Sequence, residues 1–506
     1  MLALLSYTAD RHKFQDNAAR NDHSLGYAER AWELLVEAYA AENFDGPYLQ
    51  GLCVLVQYDV AVGNTSRAQR QIALELRIAE TLPLSCWISG ISDTPTVPAS
   101  ASTIRWEIIW SLLLLDQMCC GNGTAPFAAP IATFTVCLLP SPADISSARD
   151  VYSLDTYSLD VRKNKIAGIA LVNLDLMCLA GEIFRSLNSD SSKSDKPFWM
   201  GSSARGGLLS RLLEVETTES AHHSYTSTGP VTRVLQEPHL KPYFRERTLY
   251  HLLDSACYCY LNHPFVIFMQ ARHLQTRLPL TFLQQSYHTA RLYADWIFRL
   301  VVEMQEAGLQ LYEPFTGYLV AIGASIHLEH ASNEVATSGI SSKEKFDQCL
   351  GFVDRLADMW PNMEKLVRIL KKLRIRFQSV RTLRYVDGQY DGAQPKSGFR
   401  EVSLPEEDIQ LMKVLLDYAA ISKYYDHADC QADTTHAEDH RWASSGPEMG
   451  NLGLTHTSAS YTAESFTQGV PSDAMFGTQW DSTNAWSLFS MPWSEYYPLD
   501  PAPGSW

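Results

Sequence analysis

The sequence lacks the cysteine arrangements that identify small metal-binding or disulfide-stabilised domains. None of its ten cysteines forms a Cys-x-x-Cys pair, and no cysteine spacing repeats, which argues against a zinc knuckle and against a disulfide framework. Scattered free thiols are typical of a reducing intracellular compartment. The cysteines stand at positions 53, 86, 119, 120, 137, 178, 257, 259, 349 and 430.

Long apolar runs and an excess of positive charge are also missing. No apolar run reaches the roughly 18 residues that a membrane span needs, so we expect no membrane partner. The opening MLALLSYTADRHKF has about four apolar residues in a row and no basic segment before them, so we expect no signal peptide. The formal net charge of −16 argues against the whole chain being a nonspecific nucleic-acid binder, although a small basic site stays compatible with it.

The usual catalytic and nucleotide-binding motifs are absent as well. The sequence has no Gly-x-Ser-x-Gly elbow, no P-loop and no Gly-x-Gly-x-x-Gly after a strand. The GNGT of residues 121–124 follows a helical pattern, so it does not predict a phosphate-binding loop. We therefore predict that the chain is not an enzyme and binds no cofactor.

Two histidine groups are weak candidates for a metal site. In HLEH, His327 and His330 are three residues apart, without the His-Glu-x-x-His spacing of zinc proteases, and we expect them near the surface at a helix end. A second group lies where the sequence becomes acidic, and its spacing is irregular for structural zinc. We predict no metal at either group. The second group comprises His427, Asp429, Cys430, His436, Asp439 and His440.

Helical periodicity is what the sequence does contain. Residues 28–42, 48–64 and 65–84 predict three antiparallel helices with short turns; Gly63-Asn64 ends the second of them. IRWEIIWSLLLLDQMCC (104–120) predicts a fourth helix, in which the Cys119-Cys120 pair is the end of a buried helix. No βαβ alternation appears, so the predicted fold class is all-α.

Composition divides the chain into three parts. Residues 1–390 predict a large multi-helix domain, with Ser/Asp/Gly/Thr-rich loop insertions at about 138–165 and 186–235. Residues 391–429 predict a connecting segment with a short helix. Residues 430–506 predict a disordered acidic tail, because residues 426–506 hold eleven acidic residues and one basic residue, Arg441.

A basic helix precedes the connecting segment. Residues 364–385 have an apolar stripe and a strongly basic remainder. They predict either the solvated face of a helix packed on the core, or a surface for an acidic partner, for nuclear import or for phosphate. The basic residues are Lys365, Arg368, Lys371, Lys372, Arg374, Arg376, Arg381 and Arg384.

Two consecutive segments carry recognisable motifs: TSRAQRQIALELRIAETLPL, which contains Arg77, and IRWEIIWSLLLLDQMCCGNGTAP, which contains Arg105, Trp110 and Asp116. With two later segments, and in this order, they resemble the middle homology region of fungal-specific transcription factors. Gln117 stands where that family usually has Arg. LYHLLDSACYCYLNHPFVIF contributes Pro264 and Phe265, with Asn262-His263 in place of the usual His-Arg, and YEPFTGYLVAIGASIHL contributes Pro314 and Phe315. The resemblance covers roughly residues 1–335 and, more weakly, 340–385.

The resemblance implies a nuclear, DNA-binding transcriptional regulator, often of metabolic or secondary-metabolite genes, that acts as a homo- or heterodimer. The motif residues would then be structural. The family's N-terminal zinc cluster, with its Cys-x₂-Cys-x₆-Cys spacing, has no counterpart here. We therefore expect DNA contact only through a missing N-terminal segment or a partner protein. The alternative is a non-DNA-binding partner or corepressor that acts on another transcription factor through the helical scaffold.

The acidic tail predicts regulation independently of the resemblance. TQWDSTNAWSLFSMPWSEYYPLD alternates large apolar side chains with acidic and polar ones. Acidic residues keep a disordered chain solvated, so its aromatic side chains stay available to an apolar groove on a coactivator or on the transcription machinery. The candidate coactivator-binding residues are Trp480, Trp486, Leu488, Phe489 and Trp493.

Overall fold

All regular secondary structure in the described part of the chain is α-helical, which confirms the all-α prediction. Arg105, Trp110 and the tail from residue 425 onward, with its five candidate coactivator-binding residues, lie outside the described part. The computed structural model describes residues 17–44, 46–81, 112, 115–116, 119, 176–186, 196–218, 241–271, 278–309, 311, 313–331, 340–379 and 405–424.

Twelve helices have their bounds in the described residues, and residues 176–185 are helical too. They are α1 (Asn17–Ala40), α2 (Gly46–Val62), α3 (Thr65–Thr81), α4 (Ala204–Thr218), α5 (Lys241–Leu261), α6 (Pro264–Ala271), α7 (Leu280–Glu306), α8 (Pro314–Ala331), α9 (Ser342–Ala357), α10 (Pro361–Ser379), α11 (Glu406–Leu415) and α12 (Tyr418–Ser422). In the described residues, no helix combines the length and the hydropathy of a membrane span.

Helix α8 is the centre of the scaffold. Its sequence, PFTGYLVAIGASIHLEHA, is apolar around its whole circumference, and residues 315–330 are all buried. A helix that is apolar on every side needs partners on every side. Helices α5, α7, α9 and α10 supply them, and together they form the main hydrophobic core.

Two glycines let neighbouring helices approach α8 closely. A Cβ atom on Gly317 would lie 2.8 Å from Met363 Sδ and 2.9 Å from Leu356 Cδ1. A Cβ atom on Gly323 would lie 3.0 Å from the Ile297 side chain of α7. The missing side chains therefore set how tightly α7, α9 and α10 pack against the central helix.

The turn between α2 and α3 follows the prediction made from Gly63-Asn64. The Asn64 N–H donates to Asp59 O at 2.6 Å and the Gly63 N–H donates to Val60 O at 3.1 Å. Gly63 has a φ of 91°, in the left-handed region. This pair of hydrogen bonds is the Schellman motif, and it ends α2 where the sequence predicts.

Replacing Gly63 by alanine should lower the free energy of unfolding by about 1–3 kcal/mol, because a non-glycine residue is strained at this φ. The new Cβ would also lie 3.0 Å from Ser422 Cβ. The matched control is Gly26→Ala, since an added Cβ on this exposed residue of α1 has no heavy atom within 4 Å. That control should gain about 0.5–1 kcal/mol from reduced backbone entropy. Urea denaturation would contradict the assignment if both variants changed stability in the same direction.

The prediction of a loop insertion over 186–235 is wrong for residues 204–218, which form α4. Its apolar residues recur at helical spacing, and Leu212 is fully buried. This apolar periodicity is hard to see in the sequence because Gly206-Gly207 and several serines surround it. The helix also packs on α5, a contact that only the tertiary structure shows.

The prediction that 391–429 is a connecting segment is also wrong for residues 405–424. Helices α11 and α12 pack against α10, and Ile409, Met412 and Leu415 of α11 are buried in the main core. The helical domain therefore continues to residue 424. Because α11 has only ten residues, its short periodic pattern does not distinguish a core helix from a linker helix.

Helix α1 begins at Asn17, earlier than the predicted residue 28, and only part of its apolar surface is covered. Leu35 is buried, whereas Val36 and Tyr39 are 47% and 48% exposed. Among the described helices, α1 packs chiefly on α2, so side chains on its other faces stay exposed.

Candidate functional site

The junction between α5 and α6 carries one of the family-like motifs. Pro264 occupies the first position of α6, where proline has no backbone N–H to lose, and Phe265 follows it into the core. Both residues are buried. The two residues before them, Asn262 and His263, are buried as well, so the departure from the usual His-Arg lies inside the protein.

His263 holds this junction as a neutral side chain. Its Nδ1 accepts a hydrogen bond from the Phe265 backbone N–H at 3.1 Å. Its Nε2 therefore carries the proton and donates to Ser325 Oγ at 3.0 Å, and that hydroxyl in turn donates to Ile322 O at 2.7 Å. Burial lowers the pKa of His263 to about 3. Both ring nitrogens have hydrogen-bond partners, so this histidine caps α6 and links it to Ser325 of α8.

Arg205 completes the junction, although no sequence pattern singled it out. From α4 its Nε donates to Leu261 O at 3.2 Å and its Nη2 donates to Asn262 Oδ1 at 2.8 Å. Its guanidinium also lies 4.9 Å from the centroid of the Phe282 ring. A cation at the end of α5 is favoured by the helix dipole, while burial lowers the pKa of Arg205 to about 10.

The Pro314-Phe315 motif begins the central helix α8. Pro314 is half-buried and Phe315 is buried, with the Phe315 ring centroid 5.7 Å from that of Tyr318 and 5.6 Å from that of Tyr418. The Tyr318 hydroxyl donates to Leu416 O at 2.9 Å. Phe315 therefore joins the start of α8 to α12, a packing role.

The expectation that the HLEH histidines lie near the surface is wrong. His327 and His330 are both buried, because α8 has helices on every side up to its last turn. His327 Nε2 donates to Ala294 O at 3.0 Å, and the His330 ring packs 4.2 Å from that of Tyr287. Burial lowers the pKa of His327 to about 4 and that of His330 to about 3, so both are neutral at pH 7.

A buried carboxyl group lies between these histidines. Burial raises the pKa of Glu329 to about 8, so this side chain is largely protonated at neutral pH. The described residues contain no group of three or more His, Cys, Asp or Glu side chains that could hold a metal ion. An ion pair between Lys345 and Asp295, at 2.6 Å, joins α9 to α7. His327, Glu329 and His330 therefore form a buried polar group at the end of α8.

The second family-like segment is described at Asp116 and its helical neighbours. Asp116 is buried, as are Leu112, Leu115 and Cys119. The Gln69 side chain donates to Cys119 O at 2.6 Å. Burial raises the pKa of the Cys119 thiol, with smaller contributions from Asp116 and Asp59, so the thiol is unreactive, as predicted for the end of a buried helix. Cys120 lies outside the described residues.

Arg77, from the first family-like segment, is exposed on α3. Its exposure sets it apart from the buried motif residues Asp116, Phe265 and Phe315. Three further cysteines, Cys257, Cys259 and Cys349, are also buried, and burial raises the pKa of each thiol.

The basic surface of α10 is paired within the protein. Three of its basic residues, Arg376, Arg374 and Lys371, form four ion pairs that join α10 to α9 and α11. The Lys365 ammonium donates a hydrogen bond to Ser422 O. This arrangement favours the solvated-face interpretation of the basic helix over a free surface for a partner, while Arg381 and Arg384 lie outside the described residues. The pairs are Arg376–Glu407 at 2.7 Å, Arg376–Asp408, Arg374–Asp347 at 2.8 Å and Lys371–Asp354 at 3.2 Å.

Among the described motif residues, Asp116, Phe265 and Phe315 are buried and Arg77 is exposed. No match is found among protein-family models, curated proteins or solved structures.

Proposed function

We propose that this protein is a nuclear transcriptional regulator of the fungal type, controlling a metabolic or secondary-metabolite gene set. The observation that carries the proposal is the order of the four family-like segments, together with the burial of Asp116, Phe265 and Phe315 in the helical core. Residues that share a motif for structural reasons are expected to be buried. Helices α1–α12 would then be the regulatory scaffold.

The tail would be the activating segment. Trp486, Phe489 and Trp493 recur every three or four residues among acidic and polar neighbours. Each aromatic side chain buries roughly 150–250 Å² when it docks in an apolar groove. The tail would therefore bind a coactivator or the transcription machinery through these side chains, with the acidic residues keeping it soluble until it docks.

Residues 470–506, fused to an unrelated DNA-binding domain, should activate a reporter gene. Changing Trp486, Phe489 and Trp493 together to alanine should reduce expression at least about tenfold, to the level of the DNA-binding domain alone, because hot-spot aromatics carry most of such binding energy. The matched control changes Ser482, Ser487 and Ser494 to alanine and should keep activation within about twofold of the parent. Full activity of the triple aromatic variant, at equal protein level, would reject the tail as an aromatic activator.

DNA contact would come from a partner protein or from a zinc-cluster segment that these 506 residues do not contain. The second candidate function is a non-DNA-binding partner or corepressor that acts on another transcription factor through the helical scaffold. Titrating the purified chain with promoter DNA tests the expectation, shared by both candidates, that these 506 residues do not contact DNA themselves. Tight binding that weakens steeply as salt rises would mean that the chain contacts DNA itself.

A further inference from the structure

Helix α3 turns a row of polar side chains toward the core. Arg67, Gln71 and Glu75 follow one another at intervals of four residues, so they lie on one face of the helix. Ala68, Ile72 and Leu76, also buried, lie beside them. The inward face of α3 is therefore half apolar and half polar, which is unusual for a helix packed in a core.

Among the described residues, the first two members of this row interact with one carboxylate. Arg67 Nε lies 2.9 Å from Asp59 Oδ2 of α2, next to the Schellman turn. Gln71 is 3% exposed, and its side chain interacts with the same carboxylate. Glu75 is fully buried, and neither of its carboxyl oxygens makes a hydrogen bond.

The packing shields Glu75 from solvent. Each of its two carboxyl oxygens exposes less than 1 Å². A buried polar group without a partner loses its hydration and gains nothing in return. Moving α3 outward would restore that hydration while leaving the turn at Gly63 in place.

We propose that α3 is a displaceable helix, which opens away from the core while helices α7 to α9 stay folded. In the open state Gln71 and Glu75 reach water, and Ile72 and Leu76 leave the apolar core. This opening of α3 involves only the described scaffold and does not depend on the proposed function. If that function holds, it gives the regulatory domain a second conformation.

The opening depends on pH through Glu75. Burial raises the pKa of Glu75 well above its usual value, so the closed state holds this group protonated and opening lets it ionise. The groups that face it or its row are Tyr48 and Asp59 of α2 and Arg67 on the same helix, and Asp116 acts, like Asp59, on the Cys119 thiol. Burial, and next the charge of Glu75, raise the pKa of Tyr48 to about 12, so this phenol stays neutral below pH 9.

Hydrogen exchange of the full-length chain, followed by mass spectrometry between pH 6 and pH 9, tests the proposal. After correction for intrinsic rates, amides of residues 65–81 should exchange at least about tenfold faster than those of residues 315–330, and the ratio should increase with pH. Equal protection of the two helices across this range would overturn the proposal.

Two variants test whether the polar row, rather than ordinary fraying of a helix end, causes the fast exchange in residues 65–81. Gln71→Met and Glu75→Met keep the side-chain shape and remove polar groups that lose their hydration in the closed state, so each should slow exchange in residues 65–81 about tenfold or more. Glu75→Met should also remove most of the pH dependence. Arg70→Met, at an exposed position of the same helix, is the matched control and should leave exchange unchanged.

Exchange in residues 315–330 reports in the same experiment that each variant is folded. If one methionine variant loses protection in residues 315–330, it is not folded, and exchange of residues 65–81 in the other variant decides the test. Unchanged exchange of residues 65–81 in a folded methionine variant would overturn the proposal.

Discussion

Replacing Glu329 by glutamine should stabilise the protein by about 3–5 kcal/mol near pH 7.5 but by only about 1 kcal/mol near pH 5. Glu329 is buried in α8, and burial raises the pKa of its carboxyl group to about 8 from a usual value of 4.5. Glutamine has nearly the same shape and never ionises. The substitution therefore removes a pH-dependent cost without creating a cavity.

The direction follows from the two pKa values. Below pH 4.5 the Glu329 carboxyl is protonated in both the folded and the unfolded chain, and it does not affect the pH dependence. As pH rises from 4.5 to about 8 the unfolded chain releases this proton and the folded chain retains it, so stability falls by about 1.4 kcal/mol per pH unit. The parent loses stability throughout this interval, and the Glu329→Gln variant does not.

The neighbouring histidines do not obscure the comparison. His327 and His330 have folded-state pKa values of about 4 and about 3, so both are neutral in the folded protein from pH 5 to pH 8. Their titration in the unfolded chain is the same in parent and variant, so it cancels from the difference. Each histidine by itself favours folding at higher pH, the opposite direction to Glu329.

Urea denaturation of parent and variant at pH 5, 6.5 and 7.5 measures the effect. The matched control is Glu29→Gln on the exposed face of α1, which should stay within about 0.5 kcal/mol of the parent at every pH. A stability difference between parent and Glu329→Gln that does not grow with pH would show that the carboxyl is ionised in the folded protein.

The second large effect is expected from Phe315→Ala, which should cost about 3–5 kcal/mol of stability. Phe315 is buried at the start of α8, and its ring packs edge-on against Tyr418 of α12 and stacks with Tyr318. Truncation leaves a cavity where three helices meet, because α10 also packs against α8 and α12. Rigid helices close such a cavity only partly, so both transfer and cavity costs apply.

Thermal unfolding gives the measurement, with Ile375→Ala as the control. Ile375 lies on α10 and is 69% exposed, so its truncation should change stability by about 0.5 kcal/mol or less. Phe315→Leu should lose less than Phe315→Ala, because leucine fills more of the space. Equal melting temperatures for parent and Phe315→Ala would contradict the assignment of Phe315 to the core.

Helix type and several helix ends follow from local sequence alone. Periodicity of 3.6 residues is a local property, and it predicts α2, α3 and α10 because each is long. The ends follow from local chemistry as well. Gly63-Asn64 ends α2, and Ser341 with Glu344 begins α9 as a capping box, with both reciprocal hydrogen bonds present.

The interior positions of polar residues did not follow from local sequence. HLEH reads as a polar helix end, yet all four residues are buried, because α7 and α9 cover the last turn of α8. Arg205 lies in a Gly/Ser-rich stretch whose local sequence gives no sign of burial. It is buried because its guanidinium binds the end of α5. A short α11 becomes part of the core only because α10 provides an apolar surface for it.

By itself, then, the sequence determined that the described chain is helical, where its longer helices lie and that its last 81 residues are strongly acidic. These properties depend on residues close to one another along the chain. Only the tertiary structure decided which polar residues are buried, that α11 and α12 belong to the scaffold, and that Glu75 and Glu329 are buried carboxyl groups. Burial depends on which distant helix covers a residue, and no local pattern contains that information.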